Sequence, residues 1–316
     1  MEVLTWRELV QRAGGQPQAR RLVHDGDWVR VVRDAFVPRG VEVDARCRVA
    51  ALRRVLPPDV AVGGRTALWL LGMDVLRERV EVVVPRGRHL APRPGVQARS
   101  ALLPDHELTE FGGLLVVSAA RAVVDVAREE RLEEAAVVGD LALRAGLTTE
   151  VLLVAAVHGA RGLRGVERAR AVLPVLDSRS ESPMETRLRL RLVAGGLTGI
   201  DVQHDLYGDA GHVGRVDLYV EGVGVEYDGR LVRLDRAVFV QERRRQTAIA
   251  ELGLELRRYT AADVYGRSPR DLAAEVRRAQ ALAQGRPRRV LTGPDTLRRP
   301  RTRPLPTLAD RARRAA

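Results

Sequence analysis

The chain has 316 residues, 45% hydrophobic and 30% charged, which excludes a disordered protein and leaves room for two or three domains. The formal charge is +12 and all 53 lysine-or-arginine positions are arginine, so lysine chemistry of the Schiff-base or P-loop kind is excluded. One cysteine, Cys47, excludes a disulfide framework and a cysteine-cluster zinc site, and no apolar run reaches the roughly 18 residues of a membrane helix.

The start, MEVLTWREL, has neither the basic stretch nor the apolar block of a secretory signal, so a cytoplasmic setting with no membrane partner is expected. Thr5 and Glu8 have the spacing of a capping box and predict a helix to Ala13, stopped by Gly14-Gly15. Pro17 opens a second short helix to about His24, and residues 28–37 read as a hairpin. Gln16, Gln18, Arg20 and Arg21 on that second helix are either a DNA-facing row or its solvent face. Next come an amphipathic helix over 41–56, a short buried helix over 66–72 and a strand over 80–84. A loop follows over 86–95, then strands over 96–103 and 114–117. Ser118 caps a helix to about Arg128, and helices follow over 131–144 and 149–158. No catalytic constellation and no G-x-G-x-x-G turn occurs in this middle region.

The polar, proline-bounded stretch 174–183 marks a boundary. Beyond it the pattern is a helix over 183–194, strands over 215–220 and 223–228, a helix over 235–252 capped by Asp235, a strand over 254–259 and a last helix over 269–283. From 285 the tail carries ten Arg and two Asp, a net of +8. It is either a sequence-indifferent nucleic-acid contact or a solvated, disordered end.

The chemistry concentrates in the second of these regions. If Glu221-Gly222 form a two-residue turn, Val220 pairs with Val223 and Asp217 falls opposite Glu226, about 4.5–5.5 Å apart at Cβ on one face. Two acids so placed repel each other unless a cation lies between them, and Mg²⁺ favours such hard oxygens. A four-residue loop would oppose Asp217 to Asp228 instead, and Arg215 pairing with Asp228 would need no metal at all. Glu185, one turn into the first helix, either reaches this face or completes a capping box with Ser182. Arg243, Arg244, Arg245, Arg257 and Arg258 either hold phosphates beside the acids or form a solvated face.

The run SPMETRLRLRLVAGGL, then Gln203, GRVDLYV, VEYDGR and ERRRQTAIAELGLELRRYTAADVY resembles a bacterial nuclease-like domain. That domain is related to the very-short-patch-repair endonucleases, within the PD-(D/E)XK superfold. The likeness covers about 110 residues, roughly 180 to 285. Upstream, LVHDGDWVRVVRDAFVPRG, RTALWLLGMD, VVVPRG and SAARAVVDVAR are similar to actinobacterial proteins with an abortive-infection antitoxin-like N-terminal part.

The resemblance implies an α/β multidomain protein. Its parts are a winged-helix-like module at 1–40, an antitoxin-like mixed α/β region at 41–175, a restriction-endonuclease-like α/β/α domain at 176–284 and a disordered tail at 285–316. It implies Asp217 as principal ligand of Mg²⁺ or Mn²⁺, Glu226 as second acid and Glu185 as helix acid; the third motif position is Asp228 and not the motif's lysine, and its relatives also often carry aspartate there. DNA phosphodiester hydrolysis follows, in phage defence or repair, with DNA, a second copy of the chain and a toxin or defence protein as partners. The alternative is a non-catalytic DNA-binding regulator that keeps the nuclease fold. The chain departs from its relatives in having no histidine within 230–234 and Glu242 where aspartate is common. His204 and His212 are the histidines near enough in sequence to replace the missing base. The N-terminal module has two helices before its hairpin, where a winged helix has three.

Overall fold

The computed structural model describes residues 2–75, 79–88, 90, 95–209, 211–229 and 236–285, without the side chains of 45 and 236–240. Asp235, His89, the stretch 230–234 and the tail from 286 lie outside the described residues. Among the described residues the protein is mixed α/β, with three sheets and twelve α-helices. The chain divides into two compact units, Met1–Glu130 with Ala145–Ala169 and Arg131–Arg144 with Arg170–Ala316. Residues 1–40 and most of 41–175 fall in the first unit, and the helix at 131–144 falls in the second.

The first unit opens with α1 (Trp6–Ala13), α2 (Gln16–His24) and the hairpin β1 (Trp28–Val32) and β2 (Ala35–Pro38), followed by α3 (Ala45–Val55). The capping box forms: Thr5 Oγ1 accepts from Glu8 N, and the Glu8 carboxylate accepts from Thr5 N at 2.8 Å. Leu9, Ala19, Trp28 and Phe36 pack together beneath the helices. Next come β3 (Ala61–Val62), α4 (Gly64–Leu70), β4 (Val80–Pro85), β5 (Val96–Ala101), β6 (Leu108–Phe111), β7 (Leu114–Val117) and α5 (Ala119–Glu129). The five strands form one sheet in the order β5-β4-β3-β7-β6. After α6 (Leu132–Arg144), which belongs to the second unit, α7 (Glu150–Gly159) returns to the first, and α8 (Val166–Val172) leads out of it.

A buried ion cluster explains the SAARAVVDVAR run. Asp125 on α5 is fully buried and accepts from Arg121 Nε at 3.0 Å and Arg128 Nη1 at 2.9 Å, and Arg99 Nη1 pairs with it at 3.0 Å. A carboxylate holds a charge out of water only with such partners.

The second unit contains α9 (Pro183–Ala194), β8 (Asp201–Gly208), β9 (Gly211–Val220), β10 (Val223–Tyr227), α10 (Arg236–Glu251), β11 (Glu255–Tyr259), α11 (Ala261–Gly266) and α12 (Pro269–Gln284). The strands run β11-β10-β9-β8, with only the β10–β11 pair parallel. Leu188 and Leu192 of α9 and Leu272 and Val276 of α12 pack with Val202, Leu218 and Val225. Ile249 of α10 packs with Leu206, Val216, Leu252 and Leu254 in a separate cluster. A Cβ at Gly224, next to Val225, would face Val216 and Leu256 of that second cluster. Helices therefore cover both faces of the sheet. Asp140 of α6 explains why that helix belongs here. Its carboxylate accepts from Arg189 Nη2 and Thr186 Oγ1 of α9, each at 2.8 Å, and from Asp177 N at 2.7 Å.

The turn at Glu221-Gly222 has two residues, with Val220 opposite Val223. Both central residues have positive φ, +31° and +89°, which matches the strand twist and suits glycine at the second position. The four-residue alternative is therefore replaced, and Arg215 pairs with Glu181 at 3.0 Å rather than with Asp228.

The acid cluster and its arginine partners

Asp217 sits where the sheet changes phase. Val202 and Leu218 pack with α9 and α12, yet Val216 and Leu206 pack with α10, although strict alternation would give 216 and 218 one face. Between them lies Gln203, with φ +53°, and the β8–β9 ladder skips the Gln203–Asp217 step. A left-handed glutamine in a strand is strained backbone held by its surroundings. The gain is positional: Gln203 is only 5% exposed, and its carboxamide reaches two acids. It donates to Glu185 Oε2 at 2.9 Å and hydrogen-bonds Asp217.

Glu185 is brought in by its helix. Proline at the first turn and Ser182 as N-cap fix the start of α9, with Ser182 Oγ accepting from Glu185 N at 3.2 Å. The Glu185 side chain does not return to Ser182 N as a capping box requires. It accepts from Glu181 N at 2.7 Å and from Gln203, so the carboxylate faces β8.

Asp217 Oδ2 accepts from Tyr227 N at 2.8 Å. Burial pushes its carboxyl up to about 6, and the charges of Glu185 and Glu226 push the same way, against the hydrogen bonds from Tyr227 and Gln203. The β9–β10 ladder ends at Leu218–Val225, one step short of the expected Asp217–Glu226 pair. The two acids remain close enough to oppose each other's charge, but their side chains take different partners.

Glu226 lies in the parallel register opposite Arg258. One carboxylate oxygen accepts from Arg245 Nη2 and the other from Arg258 Nε at 3.0 Å. Glu242 accepts from both arginines, from Arg258 Nη2 and from Arg245 Nη1 at 3.3 Å. Arg245 also donates to the carbonyl of Arg215 at 2.6 Å. Of the expected phosphate-binding arginines, Arg243 and Arg244 are exposed, whereas Arg245 is engaged by acids. Asp228 is exposed just past β10, with its N–H on the carbonyl of Tyr259. His204 Nδ1 contacts Asp201 at 2.8 Å and its ring stacks on Tyr219, while His212 contacts Asp205 at 3.2 Å. In the first unit Gln18, Arg20 and Arg21 are all exposed on α2.

These residues fit a hard divalent cation in part. Glu185 and Asp217 are mostly buried carboxylates that repel one another, a pairing that a cation with water ligands would relieve. Glu226, as arranged, has both oxygens on guanidinium groups. Among the described residues no three His, Cys, Asp or Glu side chains converge closely enough to hold an ion.

Two Mycobacterium tuberculosis proteins, uncharacterized protein Rv2248 of strain H37Rv and uncharacterized protein MT2308 of strain CDC 1551, are each 30% identical to the chain over 264 residues. The match covers 81% of this chain and 93% of each of them. The chain belongs to their family. No family model matches it. The crystal structure of the RV2827C protein from Mycobacterium tuberculosis matches 59% of this chain and 75% of its own, at 18% identity and a TM-score of 0.32. Among the described residues no helix is long and apolar enough to cross a membrane.

Proposed function

We propose that the second unit is a divalent-metal-dependent DNA endonuclease of the PD-(D/E)XK kind, attached to an antitoxin-like first unit with a winged-helix-like start. The observation that carries this reading is the buried Glu185–Gln203–Asp217 arrangement. The two acids meet at the side chain of one residue whose backbone is strained, and Asp217 is raised to about 6. A perturbed acid kept beside a strained backbone marks a functional site. Asp217 and Glu185 would hold Mg²⁺ or Mn²⁺, which would supply a water of lowered pKa and neutralise developing phosphate charge. Gln203 fixes both carboxylates through its amide. Arg243 and Arg244, exposed on α10, bind the DNA backbone, and Gln18, Arg20 and Arg21 of α2 give the first unit a second DNA contact. The experiment is incubation of supercoiled plasmid with Mg²⁺ or Mn²⁺, comparing the wild type with Asp217→Ala. Metal-dependent nicking lost in the variant is expected; intact plasmid under all conditions would overturn the reading.

A second reading, a DNA-binding regulator without catalysis, is favoured by the arginines that neutralise Glu226. Duplex binding without cleavage in the same assay would select it. A second copy of the chain and a toxin or defence protein remain part of the proposal as partners.

A further inference from the structure

We propose that Arg245 and Arg258 hold Glu226 away from the cation site until a DNA phosphate takes the arginines, so that metal binding and DNA binding are linked. The inference rests on the metal-dependent reading above. Its own basis is the four-residue network of Glu226, Glu242, Arg245 and Arg258. Two guanidinium groups and two carboxylates balance in charge, and each acid accepts from both arginines. Glu226 is the more buried acid, with its side chain 13% exposed, while Arg245 and Arg258 are 24% and 28% exposed and reachable from solvent.

A phosphodiester offers the arginines the same two-pronged acceptor that Glu226 offers, with a full negative charge. Exchange of one for the other leaves Glu226 without its cations, two strands from Gln203 and adjacent to Asp217 in the sheet order. The released carboxylate would then be able to join Asp217 and Glu185, the residues that would hold the ion. Before exchange, the same two guanidinium charges repel an incoming divalent ion. Both effects have one sign: DNA tightens metal binding, and by thermodynamic reciprocity metal tightens DNA binding by the same factor. The arginines are positioning residues here, acting through Glu226.

The test is Mn²⁺ binding by the full chain, read from the electron paramagnetic resonance of free Mn²⁺, with and without a short DNA duplex. Arg245→Gln and Arg258→Gln are expected to bind Mn²⁺ about tenfold tighter than the wild type without DNA. The duplex is expected to tighten the wild type by a similar factor and the variants little. Glu226→Gln, combined with either, is expected to cancel the gain. Thermal melting of each variant checks folding, and Arg258→Lys, which keeps the charge but loses the fork, is expected to fall between. Equal Mn²⁺ affinity in the wild type and arginine variants, lost in Asp217→Asn, would overturn the latch and leave the metal site standing. Absence of Mn²⁺ binding in every form would overturn both.

Discussion

Replacing Asp217 by asparagine should stabilise the second unit at neutral pH. Burial and two neighbouring carboxylates lift this carboxyl from an ordinary 3.8 to about 6. A difference of about two pH units at about 1.4 kcal/mol each sets a ceiling of about 3 kcal/mol on what the ionised form costs at pH 7. Asparagine removes that cost but is a weaker acceptor for Tyr227 N and sets an amide against the Gln203 amide, losing about 1 kcal/mol. The net gain is about 1–2 kcal/mol, or about 2–6 °C in melting temperature for a unit of this size. The sign with pH follows from the direction of the shift. The folded state holds the proton more tightly than the unfolded state, so the wild type loses stability as pH rises from about 4 to about 6. The advantage of asparagine is therefore absent below that window and complete above it. Asp140, also raised to about 6 by burial, titrates in both proteins and cancels in the comparison. Thermal melts with a chelator present, at pH 4 and pH 8, decide the matter. A variant less stable than the wild type at pH 8, or equally more stable at both pH values, would show that ionised Asp217 carries no such cost.

Three further outcomes are expected. Saturating Mn²⁺, at about ten times its dissociation constant, should raise wild-type stability by about 1.4 kcal/mol and leave Asp217→Asn unmoved, as melting curves with and without the ion will show. Asp140→Ala should cost about 3–5 kcal/mol in denaturant unfolding, because it strands the buried Arg189 along with Thr186 Oγ1 and Asp177 N. Asp125→Asn in the first unit should cost a similar amount, since three arginines converge on that fully buried carboxylate; a loss under 1 kcal/mol in the same assay would argue against the ion cluster.

Helix ends were the most legible part of the sequence. Thr5, Ser118 and Ser182 each cap where their side chains can accept from the third residue on, a local pattern that tertiary packing does not override. The hairpin turn at Glu221-Gly222 was legible for the same reason. Short strands were not. β3 has two residues and owes its place to β4 and β7, partners distant in sequence. β8 reads DVQHDLYG, where alternation breaks at Gln203, so the period that would announce a strand is interrupted by the residue that builds the site. Register alone placed Asp217 beside Glu226, but it could not show that the ladder stops first or that Arg245 and Arg258 reach Glu226 from α10 and β11. Nor could the polar boundary at 174–183 show that Asp140, some 45 residues upstream of α9, ties α6 to it.

Under the proposed function, Glu185 and Asp217, held by Gln203, form the working centre of a nuclease. The decisive measurement is the rate of plasmid nicking in Mn²⁺ by the wild type, Glu185→Gln, Asp217→Asn and Gln203→Ala, all shown by melting to be folded. Cleavage by the wild type is expected, with its loss by a hundredfold or more in Glu185→Gln and Asp217→Asn and a clear reduction in Gln203→Ala. Cleavage that persists undiminished in Asp217→Asn, or a folded wild type that binds DNA and never cuts it, would rule this centre out.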